Sequence, residues 1–314
     1  MSVLVNILAM TVPFSVALLL ASVGEMFNQR AGVFNLGCEG VMAIGAFIGM
    51  LIPFMIGRGG PVPVWWNYVG LLLAALIGAL LGLFFGVVTV TFRAPQGIAG
   101  IGLQMFGVGI AGTLFRHFVG GTQSIPGLPN TPIPLLSKIP VIGEIFFSHN
   151  VMVYLAFLFV PVAHHILFKT SWGLRVRAVG MHPRAADSMG INVNRTRYEA
   201  LAVGGALAGL AGAYLSVCQA KMFSDELIAG RGFIAVALVY FGHWYPAKIM
   251  LGALLFSFAQ TIQYNVQGLG LSLPYEFFVM LPYIVVVVVL SFTSRHQRFA
   301  PQSLGKPFNR EIRT

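Results

Sequence analysis

Residues 67–92 read NYVGLLLAALIGALLGLFFGVVTVTF. No charged residue interrupts this run, and about 20 apolar residues suffice to cross the hydrocarbon core of a bilayer. Gly70, Ala74, Gly78, Gly82 and Gly86 place a small residue at every fourth position, which on a helix is one face. Between lipid-immersed helices apolar burial drives no association, so small faces that let backbones approach take its place. The stretch reads as a membrane-spanning helix made for close packing, inside a bundle or at a subunit interface.

Similar apolar runs recur on both sides of it, at 3–24, 33–57, 97–119, 150–169, 199–219, 230–246, 247–267 and 274–293. The run at 230–246 is short and opens Gly230-Arg231-Gly232, so it reads as a broken or re-entrant helix. The fold expected is therefore an all-α integral membrane protein, a polytopic helical bundle with roughly eight to ten crossings. Composition agrees: 57% of the 314 residues are apolar and only 9% are charged, against about 25% charged in soluble domains. The mean hydropathy is +0.83. Residues 1–24 carry no charged side chain, so they read as a first span and not as a signal peptide.

The net charge of +10 is concentrated. Six of the 19 basic residues lie between Lys169 and Arg197, and five between Arg295 and Arg313. This is the positive-inside pattern of membrane proteins, and it sets nucleic-acid binding aside. Residues 1–294 form the membrane domain, with a cytoplasmic loop at 170–198 and an outer loop at 120–149; residues 295–314 form a basic cytoplasmic tail. The outer loop holds Pro126, Pro129, Pro132, Pro134 and Pro140. That density precludes a long helix and favours an extended cover, which either docks an external partner or closes the outer mouth. In the inner loop, Pro183 suits the first position of a helix and Gly190 its C-terminal stop. Two turns flanked by charge cannot span a membrane, so this helix lies along the surface, where another protein can touch it.

Several chemistries are excluded. The only Gly-Lys pair is Gly305-Lys306, followed by Pro307, so there is no phosphate-binding Walker A loop. Neither His-Glu-x-x-His nor Gly-x-Ser-x-Gly occurs. Gly107-Val-Gly109-Ile-Ala-Gly112 matches a dinucleotide fingerprint but sits inside a span without a preceding strand, so it reads as helix packing. Cys38 and Cys218 read as free thiols, and His164-His165 lacks partners at metal spacing.

Charged and polar groups at membrane depth are the candidate functional residues. Glu39 lies among Gly32, Asn35, Gly37 and Gly40, a broken or late-starting helix end that either offers polar groups to a solute or places Glu39 on its own helix dipole. Spacing suggests that Glu25 pairs with Arg30, and that Asp225 and Glu226 pair with Arg231. Glu276 reads as interfacial. Gln104, Gln260, Gln263 and Asn265, with Phe106 and Tyr264 as stacking partners, suit a neutral hydrogen-bonding cargo, or else bond neighbouring helices.

Three stretches together resemble a known family. They are EMFNQRAGVFNLGCEGVMAIGAF (25–47), GLRVRAVGMHPRAADSMGI (173–191) and AGRGFIAVALVYFG (229–242). In order, they are similar to signatures of ABC importer permeases related to branched-chain amino acid and simple-sugar permeases. The third is common in the nucleoside-type subgroup, and this chain resembles its second, shorter permease. Cys38 and His182 stand where other residues are expected in relatives.

The resemblance implies a transport subunit, not an enzyme, in the cytoplasmic (inner) membrane of a bacterium, with its C-terminus inside. Its partners would be a separate ABC ATPase, a second homologous permease in a heterodimer, an extracytoplasmic solute-binding protein and membrane lipid. No cofactor would be bound by this chain itself, ATP and Mg belonging to the ATPase. Pro183, Arg184, Ala185, Ala186, Asp187 and Gly190 would form the coupling helix, with Arg184 and Asp187 as polar contacts. Asn35, Glu39, Gln104, Phe106, Gln260 and Gln263 are the candidates for the solute path. The cargo expected is a nucleoside, then a ribose-like sugar, then a branched-chain amino acid. The rival readings are an ion-coupled secondary transporter, with Glu39 or Glu276 as its proton or sodium site, and an intramembrane enzyme.

Overall fold

The computed structural model describes residues 3–57, 63–121, 123–267 and 300–309, with positions 280, 282–284, 287, 288 and 291. The candidate span 274–293 falls mostly outside the described residues, as do Glu276 and residues 295–299. The described residues hold, in order, the continuous α-helices α1 (Val3–Arg30), α2 (Cys38–Gly57), α3 (Trp65–Gly86), α4 (Gln96–Phe118), α5 (Ile142–Phe146), α6 (Val151–Lys169), α7 (Ser171–Met181), α8 (Pro183–Ser188), α9 (Val193–Tyr214), α10 (Arg231–Phe241) and α11 (Pro246–Gln267). π-helical segments, Val87–Thr91 and Leu215–Gln219, extend α3 and α9. Among the described residues there is no β-strand, only an isolated bridge between Ser124 and Met222.

Six of these helices are long and apolar enough to cross a membrane: α1, α2, α3, α4, α6 and α9. The 22 residues of α11 would rise about 33 Å, enough to span a core about 30 Å thick. The 11 residues of α10 rise only about 16 Å, so this helix covers half a bilayer, as its length and its opening glycines suggest.

The centre of the bundle is α9. Its apolar window is 78% buried, against 33% for α3, α4 and α6. Glycines explain how three neighbours reach it. A Cβ on Gly78 would strike the Gly205 carbonyl, one on Gly82 the Leu201 carbonyl, and one on Gly45 the Gly209 backbone. Gly24 of α1 meets Gly204 in the same manner. The small-residue faces of the sequence are thus spent within this chain, backbone against backbone. Gly109, which faces open space, is an exception.

The two ends of the bundle differ. At one end, the Arg30 end of α1 meets α7 and α9: a Cβ on Gly180 would strike the Arg30 carbonyl, and Arg197 Nε donates to Ala31 O at 3.2 Å. Arg93, Lys169, Arg175, Arg177, Arg184, Arg195, Lys248 and Lys306 belong to this basic end. At the other end, residues 123–129 lie across α9 and α3. Ile125 N donates to Lys221 O at 2.8 Å, and Asn67 Nδ2 to Gly127 O at 3.1 Å. Among the prolines that follow, only the single turn of α5 and a 3-10 turn at Leu136–Lys138 form.

Candidate functional site

The chain between α1 and α2 is not helical, and its backbone is held by side chains. Glu25 Oε1 accepts from Asn35 N at 3.1 Å, Asn35 Oδ1 from Gly37 N at 2.8 Å, and Gln96 Oε1 from Phe34 N at 2.8 Å. Buried backbone donors need such partners when no helix supplies them. Glu25 also accepts from Asn28 Nδ2 at 2.8 Å and Gln29 Nε2 at 3.1 Å. It does not pair with Arg30, contrary to the expectation from spacing. The Arg30 guanidinium instead turns to α10's far end, donating to Trp244 O at 3.0 Å from Nη2 and lying over the Phe168 and Tyr245 rings. The carboxylate is therefore consumed by the unwound segment, and the cation by an aromatic clamp.

Glu39 stands in the first turn of α2, and its carboxylate reaches across to the start of α10. Its Oε1 accepts from Gly230 N at 2.7 Å and its Oε2 from Gly232 N at 2.7 Å. These are amides at the N-terminus of α10, where a carboxylate is favoured by both hydrogen bonding and the helix dipole. Gly230 has φ +80, and a Cβ on Gly232 would collide with the Glu39 backbone, so the approach needs glycine at both places. Gly40 packs against Leu103 and Gln104 of α4, about 11 Å along that helix from its start. The half-length helix thus begins deep in the bundle and runs to the basic end.

Beside this N-terminus is a cavity of about 580 Å³, lined by Gln219, Ser224, Glu226, Arg231, Gln260, Gln263, Tyr264 and Tyr283, with Phe14 and Phe256 as apolar walls. The volume falls in the range of small-molecule sites. The Oε1 atoms of Gln219 and Gln260 are buried and accept no hydrogen bond from the described residues. Phe14 and Tyr264 rings lie 5.6 Å apart, tilted by 34°. Arg231 Nη1 donates to Leu227 O at 2.6 Å. Asp225 does not pair with Arg231, as spacing suggested; it pairs with Arg116 at the end of α4, 2.8 Å away, because Gly112 brings α4 directly beneath it.

Of the residues singled out in the sequence, Gln260, Gln263 and Tyr264 come together in this cavity. Asn35 and Glu39 do not line it; their side chains hold backbone. Phe106 is 53% exposed and lines an apolar cleft of about 590 Å³ between α3 and α4. Gln104, on the same helix, packs by its backbone on Gly40. Asn265 Nδ2 donates to Thr261 O within its own helix. Gln219 was missed, because a π-helical segment ending a Gly/Ala-rich span leaves no periodic signal for it. Among the described residues no group of three or more His, Cys, Asp or Glu side chains is placed to hold a metal ion. Both cysteines are buried and unpaired by disulfide.

At the basic end, α8 begins with Pro183 and is closed by Gly190 at φ +82, as proline and glycine placement suggests. Residues 300–309 return to it. Ser303 Oγ donates to Gly180 O at 2.7 Å, Ser303 N to the same carbonyl at 3.0 Å, and Gly305 N to Gly32 O at 3.3 Å. Arg197 Nη1 donates to Lys306 O at 3.2 Å. A separate small core of Val179, Ala186 and Val193 is capped by Phe308.

A multi-pass helical bundle whose half-length helix begins beside a partly open cavity with polar lining is an architecture suited to a membrane permease. The chain belongs to the branched-chain amino acid transport system permease component family, whose model matches residues 6–290. It is 37% identical to the guanosine ABC transporter permease protein NupQ of Bacillus subtilis, over 97% of this chain and 98% of that one. It is 36% identical to the nucleoside ABC transporter permease protein NupC of Lactococcus lactis, over 88% and 89%. The putative glucose ABC transporter permease protein TsgC13 of Haloferax volcanii is 33% identical over 99% and 100%. No solved structure matches the chain. The protein is thus a transport subunit and not an enzyme, and membership of an ABC permease family implies an ATPase and a solute-binding protein as partners.

Proposed function

We propose that this chain forms part of the translocation path of an ATP-driven importer of nucleosides. The observation that carries the reading is the cavity at the N-terminus of α10. Its amide walls, two unpartnered glutamine oxygens and four aromatic rings suit a neutral solute that brings hydrogen-bond donors and a flat face. A nucleoside brings both. Relatives named for guanosine and nucleosides support that cargo. The relative named for glucose keeps a sugar as the second reading, since hydroxyls satisfy the same amides.

The crowding of basic side chains at one end supports placing that end in the cytoplasm, of a bacterial inner membrane, with residues 300–309 on the same side. There α8 is the coupling helix seated on the ATPase, which supplies ATP and Mg chemistry. Closure of the ATPase rocks α8 and opens the cavity alternately to each side. A second, different permease completes the path, and the outward faces of α3 and α4, with Phe106 and Gly109, are suited to face it.

The test is reconstitution of the chain with its neighbouring permease, ATPase and binding protein in proteoliposomes. Uptake of labelled guanosine should require internal ATP and be competed by other nucleosides but not by glucose. Competition by glucose alone establishes the sugar reading. Uptake that follows an ion gradient without the ATPase establishes a secondary transporter instead.

A further inference from the structure

The apolar cleft between α3 and α4 takes no part in the solute path, yet its shape is specific. Each of the two helices is drawn to a different neighbour: a Cβ on Gly82 of α3 would strike the Leu201 carbonyl of α9, and one on Gly107 of α4 the Gly40 backbone of α2. The space of about 590 Å³ between them is what those two attachments leave open. It runs along α3 and its π-helical extension from Ile77 to Val88, and along α4 from Ala99 to Phe106. Every side chain that lines it is hydrocarbon, so it offers no hydrogen bond to a nucleoside or a sugar. Gly102 lines it without a side chain, and a Cβ there would meet nothing within 4 Å.

Depth identifies the occupant. Trp65–Thr91 is a crossing of 27 residues, a rise of about 40 Å, which is the thickness of a bilayer with its headgroups. Ile77 and Phe106 stand near the middle of their helices, while Val88 and Ala99 stand near the turn at 92–95 that joins them. The cleft therefore opens beside that turn and stops at the midplane. Its length along α3, about 16 Å, is one leaflet's share of a hydrocarbon core about 30 Å thick. A partner helix would need a groove running through both leaflets; one acyl chain needs only this. Arg93 stands exposed in the turn, at the level of the headgroups.

We propose that this cleft is a lipid site, in which one acyl chain of an anionic phospholipid lies between α3 and α4 with its headgroup at Arg93. The chain supplies the apolar contacts that neither helix makes with the other, and the guanidinium favours a headgroup of net negative charge. The site depends neither on the cargo nor on which side of the membrane the basic end faces. Gly109, on the α4 face suited to a second permease, lies beyond Phe106 and outside the cleft, so lipid and partner do not compete.

The experiment counts the lipids retained by the assembled permease in native mass spectrometry, after purification in mild detergent and addition of phosphatidylglycerol or phosphatidylcholine. Wild type should keep one more phosphatidylglycerol than Gly102→Phe, whose ring stands across the cleft. Arg93→Gln should lower the preference for phosphatidylglycerol over phosphatidylcholine about fivefold, the effect of one cation at the membrane surface. Because Gly102 faces open space, Gly102→Phe should melt with wild type, and Gly102→Ala should keep the lipid. Equal retention by wild type and Gly102→Phe overturns the site, and so does loss of the lipid in Gly102→Ala, which would trace the effect to the helix backbone. A wild type that retains the two lipids equally overturns the assignment to an anionic headgroup. If Gly102→Phe instead separates this chain from the second permease while lipid retention is unchanged, the cleft belongs to a partner helix and the proposal fails.

Discussion

The Glu39 carboxylate closes the N-terminus of a helix that begins almost two hundred residues further along the chain, accepting from Gly232 N at 2.7 Å while its other oxygen accepts from Gly230 N at 2.7 Å. In a transporter whose half-helix points an open N-terminus at its cargo, an anionic group of the solute fills that role. Here the protein supplies the anion itself. On the proposed path, the side-chain amides and aromatic rings of the cavity, with Glu226 and Arg231 beside them, are left to meet the cargo.

Replacing Glu39 by alanine should therefore act on stability before it acts on transport. The buried Gly232 N–H and the half-buried Gly230 N–H lose their acceptor, at about 1–3 kcal/mol for the buried one and less for the other. Glu39→Gln keeps one acceptor oxygen but sets an NH2 against the other amide, so it should fall between alanine and wild type. Thermal unfolding in mild detergent checks the order. An alanine variant as stable as wild type, with transport driven by an ion gradient abolished, would restore Glu39 to the role of an ion site.

Gln260 gives the opposite sign. Its Oε1 has no donor among the described residues, so an apolar side chain of similar size breaks no hydrogen bond of that oxygen within the fold. Gln260→Leu should leave the unfolding midpoint unchanged or raised while weakening solute uptake about tenfold in apparent KM, the loss of one or two hydrogen bonds. Gln219→Leu should behave alike. Uptake kinetics and thermal melts on the same preparation separate this from general damage, which would move both together.

How much of this was readable beforehand follows from the range of each signal. Spans such as 67–92 announce themselves, because lipid demands unbroken apolar runs. The short surface helix at 183–188 was legible from Pro183 and Gly190, which act on their own backbone. The broken character of 230–246 was legible from Gly230 and Gly232, though not the reason for them. What stayed hidden depends on which helices become neighbours. Glu25 and Arg30, Asp225 and Arg231 lie at pairing distance along the chain, yet each found its partner elsewhere: unwound backbone for Glu25, Trp244 for Arg30, Arg116 for Asp225. The return of Ser303 to Gly180 has no periodic or compositional trace at all.

The glycine contacts can be set against one another. Gly78→Ala places a Cβ into the Gly205 carbonyl, and neither backbone can withdraw without separating α3 from α9. Expression of folded protein, followed by size-exclusion chromatography in detergent, should fall severely. Gly109→Ala meets nothing within 4 Å and should be neutral by the same measure. If both are tolerated, α3 and α9 do not pack as closely as described.

Arg184 tests the coupling end. It stands in the first turn of α8, on the exposed surface, so reversing its charge should leave membrane insertion intact and melting close to wild type. It does place a carboxylate where the proposed reading seats the partner ATPase. Arg184→Glu should therefore abolish ATP-coupled uptake in proteoliposomes, while solute binding to the assembled permease persists. The two readouts matter together. Lost uptake with lost solute binding would mean that the substitution spread into the bundle, and normal uptake would mean that α8 is not where the ATPase pushes. Only uncoupling, with binding retained, fits a helix that transmits force without touching cargo.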